Sequence, residues 1–125
     1  MDKGVGVRLA QWNEITTFNE WNQAFQQSEE RPVLVMKHST RCPVSADAWE
    51  ECKKYTEDQP RSDMDYVIVK VLESREVSDR IAEDLGVKHQ SPQTILLKNG
   101  KPVWHTSHWH IKKEALEEVL ASHLR

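Results

Sequence analysis

Along this chain, runs of consecutive apolar residues alternate with stretches in which apolar side chains recur every three or four positions, a pattern of buried strands separated by amphipathic helices. Val5, Val7 and Leu9 alternate with polar or small residues and predict a short first strand. Thr17 and Glu20 have capping-box spacing, and Phe18, Trp21 and Phe25 follow on one face of a helix. Val33 to Met36 is an unbroken apolar run, as expected of a strand covered on both faces. The next helix should run from Pro43 to about Glu57, ending before Pro60, with Val44, Ala48, Cys52 and Tyr55 as its core stripe and Trp49 beside them.

Tyr66 to Leu72 reads as a second interior strand. Ser74 is placed to cap a helix carrying Val77, Ile81 and Leu85, which Gly86 ends. The pattern then changes: Thr94–Lys98 and Pro102–Thr106 flank Asn99-Gly100, the signal of an antiparallel hairpin. A last helix, about Lys112 to His123, presents Ala115, Leu116, Val119 and Leu120 to the core. The order β-α-β-α-β-α-β-β-α predicts an α/β fold, a central mixed sheet with helices on both faces and right-handed crossovers.

The 125 residues suffice for one domain, taken as residues 1–125, and are too few for two ordinary ones. A net charge of −3 is scattered along the chain, so no basic stripe suggests nucleic acid. No apolar run approaches the roughly 18 residues of a membrane span. Met1 to Val7 lacks an apolar stretch suited to export, so a cytoplasmic location is expected, with both cysteines reduced.

That expectation turns the two cysteines into the chemical question. Cys42 follows a buried strand and precedes Pro43, whose fixed φ and missing N–H suit the first position of a helix. Cys42 is thereby placed at or beside the N-cap, where unpaired N–H groups and the helix dipole favour a thiolate, and Arg41 acts in the same direction. The plainer reading is a small apolar residue or a simple cap. Cys52 lies ten residues further along the helix. Ten helical residues span about 15 Å, whereas a disulfide needs Cα atoms within about 7 Å, so Cys52 is expected to be a buried structural thiol.

With these elements placed, nearly the whole chain resembles the thioredoxin-like fold: a cysteine opening the helix after a buried strand, and Ser91-Pro92 just before the hairpin. The resemblance implies that Pro92 is cis and lies against the reactive sulfur; the plainer alternative is an ordinary trans loop proline. More narrowly, Lys37-His38-Ser39-Thr40-Arg41-Cys42-Pro43-Val44-Ser45 is similar to the motif of the monothiol bacilliredoxin family, which works with the small thiol bacillithiol. The family shows Cys-Pro-Ile-Ser; Val44 is a mild departure. Ser45 stands where dithiol thioredoxins carry their second cysteine.

The resemblance implies a monothiol thiol–disulfide oxidoreductase that removes bacillithiol from protein mixed disulfides through Cys42. Its partners would be bacillithiolated client proteins, bacillithiol as co-substrate and a regenerating reductase system, with no resident cofactor. Thr40, Arg41, Pro43 and Ser45 would surround the sulfur, and the backbone of Ser91, ahead of Pro92, would bind the incoming substrate as an added strand. Arg41 either pairs with a carboxylate of bacillithiol's malate portion or is an exposed turn arginine with no partner. His38 allows a Cys–His pairing or a hydrogen-bonded structural role. His105, His108 and His110 are dense, but only His108 and His110 would share a face of an extended segment; no metal site is assigned. Trp104 and Trp109 are expected to pack the last strand against the final helix; the alternative is that an exposed Trp near the active loop binds clients. The competing readings are a thioredoxin-like binding or adaptor module and a glutaredoxin-like iron–sulfur or peroxide-handling protein.

Overall fold

The computed structural model describes residues 12–124, and the strand expected over Val5, Val7 and Leu9 lies outside them. Among the described residues, the chain begins with β1 (Trp12–Glu14) and continues through α1 (Phe18–Gln27), β2 (Val33–His38), α2 (Pro43–Asp58), β3 (Asp65–Lys70) and α3 (Arg75–Leu85). It ends with β4 (Gln93–Lys98), β5 (Lys101–Ser107), a 3-10 turn at His108–His110 and α4 (Lys113–His123). The sheet order is β1-β3-β2-β4-β5. β1, β3 and β2 run parallel, while β4 is antiparallel to β2 and to β5. The expected mixed sheet with helices on both faces is therefore present.

β2 is buried along its whole length because both of its faces are covered. Leu34 and Met36 enter a core shared with Cys52 and Tyr55 of α2 and Leu116 and Leu120 of α4. Val33 and Val35 enter the opposite core, with Trp21 of α1 and Val77 and Ile81 of α3. Burying each of these side chains contributes about 1.5–3 kcal/mol relative to exposure, and the alternation leaves β2 no freedom to slip by one residue.

The helix ends follow the sequence signals closely. Thr17 and Glu20 complete the capping box, and Gly86 ends α3 at φ 65°, a conformation that costs glycine little. Asn99 and Gly100 both have positive φ between β4 and β5, the backbone of a type I′ hairpin turn. β1, too polar to be read from periodicity, is fixed by Trp12: its ring meets those of Trp49 and Tyr66 at 5.2 Å, and its Nε1 donates to Thr56 Oγ1 at 3.0 Å.

Several side chains depart from expectation. Phe18 is exposed and lies under the guanidinium of Arg80, 4.6 Å from ring centre to Cζ, which leaves Trp21 as the buried anchor of α1. The core stripe of α2 is Ser45, Ala48, Cys52, Tyr55 and Thr56, with Val44 turned to the rim. β3 stops at Lys70, where the Val71 N–H already bonds the His38 carbonyl, and Leu72 is exposed. Ser74 occupies the N-cap of α3 but its hydroxyl makes no capping bond. Trp104 packs against the α2–α4 core as expected, whereas Trp109 is 62% exposed.

Candidate active site

Cys42 is the N-cap residue of α2, in extended conformation, with Pro43 opening the helix. Its carbonyl accepts the Ala46 N–H at 2.9 Å and its own N–H donates to Ser39 O at 3.3 Å. The backbone is thus tied on both sides while the half-exposed thiol makes no capping bond. The sulfur is left at the helix end where the first-turn N–H groups lack intrahelical acceptors. Both cysteines are free. Cys52 is fully buried, and burial, reinforced by the charge of Glu51, pushes its thiol far above the ordinary range.

The loop before Cys42 is held from beneath. Ser45, completely buried, accepts the Ser39 N–H at 2.8 Å and stands 2.8 Å from His38 Nδ1. All three groups are satisfied when the Ser45 O–H donates to Nδ1 and the imidazole carries its proton on Nε2. Burial, reinforced by the charge of Lys70, holds the His38 pKa below its ordinary value, which keeps this neutral form in place. Ser45 therefore lies under the loop with its hydroxyl committed inward and offers no surface to a substrate. Among the hydrogen bonds of the described residues, none joins His38 to Cys42, so the imidazole acts on the loop and not on the sulfur.

The remaining predicted residues lie at the surface or on the neighbouring strand. Thr40 is exposed and donates to Glu73 Oε2 at 3.0 Å. Arg41 and Pro43 flank Cys42 and are exposed. The Ser91-Pro92 bond is cis. Because β2 and β4 run antiparallel, with Lys37 opposite Gln93, the end of β2 that leads to Cys42 and the start of β4 that follows Pro92 share one end of the sheet. The Pro92 carbonyl accepts the His108 N–H at 3.1 Å, fastening this loop to the turn after β5. The Ser91 hydroxyl is buried without a partner.

The histidine-rich segment is not extended. His108 sits at φ 55° and opens a 3-10 turn, so His108 and His110 do not share a strand face, and His105 and His110 are exposed. Among the described residues no three His, Cys, Asp or Glu side chains are grouped for a metal ion. The turn places the exposed Trp109 beside Val44 and Asp47 of α2 in a groove of about 290 Å³. Sequence periodicity could not give this groove, since it depends on the positive φ of His108. Sequence reasoning gave Lys37 no role of its own; a lysine directly following the apolar run Val33–Met36 within β2 was the available signal.

Comparison with known proteins agrees with this geometry. The family model described as Monothiol bacilliredoxin BrxC matches residues 13–116. A solved structure described as a candidate oxidoreductase with a thioredoxin fold is 33% identical, with a TM-score of 0.74, over 85% of this chain and 90% of that one. Thioredoxin NaTrxh from Nicotiana alata is 23% identical, with a TM-score of 0.72, over 96% of this chain and 98% of its own. Thioredoxin from Malassezia sympodialis reaches a TM-score of 0.75 at 14% identity, over 94% and 95%; these last two likenesses concern the fold.

Proposed function

Because this chain belongs to the monothiol bacilliredoxin family of thioredoxin-fold proteins, we propose that it is a thiol–disulfide oxidoreductase that strips bacillithiol from mixed disulfides on client proteins. The Cys42 thiolate attacks the bacillithiol sulfur of the client mixed disulfide. A Cys42–bacillithiol disulfide forms, the client S–S bond breaks, and the client thiolate leaves and takes a proton from water. A second bacillithiol thiolate then attacks the bacillithiol sulfur held on Cys42, releasing the Cys42 thiolate and bacillithiol disulfide, which a reductase system returns to the thiol. Attack on the small thiol's sulfur, in preference to the client's, is what leaves the client reduced in one step.

The observation that carries this reading is the pairing of one accessible sulfur at the N-cap of α2 with one sealed in the core. With Ser45 committed beneath the loop, Cys42 has no neighbouring thiol within α2's first turn to close an internal disulfide. Arg41 and the Ser91 backbone are the groups offered to the malate carboxylates and to the main chain of the incoming partner, and the reaction takes place in the cytoplasm, where the thiols stay reduced.

The test is intact mass after mixing wild type, Cys42→Ala and Cys52→Ala with bacillithiol disulfide and with glutathione disulfide. One adduct, lost only in Cys42→Ala and formed faster with bacillithiol disulfide, is expected. An adduct on Cys52, no adduct at all, or a preference for glutathione rejects the reading.

A further inference from the structure

One ionisable group inside the molecule has no task in this reaction. Lys37 lies in β2, five residues before Cys42, and is completely buried. Its Nζ donates to Ser78 O of α3 at 3.1 Å and stands 3.2 Å from His89 Nδ1. His89 is exposed, in the loop that leads from α3 to the cis Ser91-Pro92 step. Gln93 is the register partner of Lys37 on β4, and directly paired residues project from the same face of a sheet. Gln93 is also buried, and its Nε2 donates to Lys88 O at 3.1 Å. Two adjacent strands thus each send one side chain to the same loop, at consecutive residues 88 and 89.

Stability alone does not account for a lysine here. Val33 and Val35 fill the same face of β2, and a third apolar residue would avoid the cost of desolvating an ammonium, which well-packed apolar substitutions of buried charges commonly recover. What the amine adds is direction: a charged donor fixes a carbonyl and a ring nitrogen at defined positions, whereas an apolar contact slides. The neutral imidazole needed to accept from the ammonium is favoured, since burial and then the charge of Lys37 both lower the His89 pKa.

We propose that Lys37 is a positioning residue for disulfide exchange: through Ser78 and His89 it sets the loop ending in Ser91-Pro92 against the Cys42 loop, and so governs how well a mixed disulfide is bound. This rests on the reading of Cys42 as the exchange nucleophile. The same strand that delivers the sulfur through its end at His38 therefore also holds the substrate-facing loop through its penultimate side chain.

The experiment compares wild type with Lys37→Met, His89→Ala and the double variant. Steady-state exchange is measured on a peptide carrying bacillithiol in mixed disulfide, beside the rate of Cys42 alkylation by iodoacetamide, a reagent that needs no docking loop. Each single variant should raise KM about tenfold, the double variant should be no worse than either, and alkylation should match wild type. Unchanged KM in His89→Ala, additive losses in the double variant, or equal losses in exchange and alkylation would overturn the proposal. Should Lys37→Met fail to fold, the exposed His89 decides the question alone. A wild-type protein that alkylates but does not exchange would instead reject the reading of Cys42.

Discussion

Ser45 Oγ stands 2.8 Å from His38 Nδ1, so one hydroxyl joins the last residue of β2 to the first turn of α2 beneath the loop that carries Cys42. The same oxygen receives the Ser39 N–H, which makes it donor and acceptor at once. In dithiol thioredoxins the equivalent position holds a second cysteine. Here the oxygen makes bonds that sulfur, a weak donor and acceptor, would make poorly, and the serine replaces a redox function with a structural one.

Ser45→Ala should accordingly destabilise the fold by about 1–3 kcal/mol, the cost of leaving a buried N–H and a buried ring nitrogen without partners. Exchange should slow with it, because the Cys42 loop loses its inner tie. Urea unfolding midpoints and exchange rates check both. A variant as stable and as fast as wild type would show that the hydroxyl holds nothing.

The same network fixes a pH dependence. Burial lowers the folded-state pKa of His38 below its ordinary value of 6.5. Between the two values the unfolded chain binds the proton and the folded chain does not, so stability rises with pH across that window. It is fully present above 6.5 and is lost as pH falls toward the folded-state value. His38→Asn, which keeps an acceptor for Ser45 but cannot titrate, should flatten the fall in unfolding midpoint on the acid side of 6.5. An unaltered slope would assign acid sensitivity elsewhere, to His89 first, whose pKa is lowered in the same sense.

From α1 onward the order of elements was legible because those elements rest on local pattern: the apolar run of β2, Pro43 after Cys42, Gly86, and Asn99-Gly100. β1 was not, since Trp12–Glu14 is fixed by the contacts of Trp12 with distant residues. The phase of α2 was not. From Cys52 and Ala48 the buried stripe continues backward to either position 44 or 45 at 3.6 residues per turn, and the apolar choice, Val44, was the wrong one, because the polar Ser45 has buried partners in His38 and Ser39. Leu72 misled in the same way, since the strand ends where the chain turns and not where apolar residues end. The Lys37 contacts join residues 41 and 52 positions apart, a relation that no local window contains.

Cys52 supplies a control on the sulfur chemistry. Its side chain is buried in the core shared by α2 and α4, and burial keeps it protonated at neutral pH. Cys52→Ala should leave the exchange rate unchanged and lower stability by about 1 kcal/mol, the order expected for deleting one buried heavy atom from a packed core. Cys42→Ala should do the reverse, removing exchange while the unfolding midpoint stays near that of wild type, because its half-exposed thiol makes no capping bond. Loss of exchange in Cys52→Ala would mean that the second sulfur takes part after all.

Arg41 offers the most exposed test of what the small thiol contributes to recognition. The residue precedes the nucleophile, is exposed, and among the described residues forms no ion pair; the proposed reading has its guanidinium pair with the malate carboxylates of bacillithiol. A solvent-exposed charge pair contributes only about 0.2–1 kcal/mol, which converts to a KM rise of at most about fivefold in Arg41→Ala. The effect should be largest at low ionic strength and should vanish toward 1 M salt, where the screening length is about 3 Å. Steady-state exchange at two salt concentrations separates the outcomes. Equal KM in wild type and variant at low salt would remove Arg41 from recognition and leave the Ser91 backbone as the remaining proposed contact.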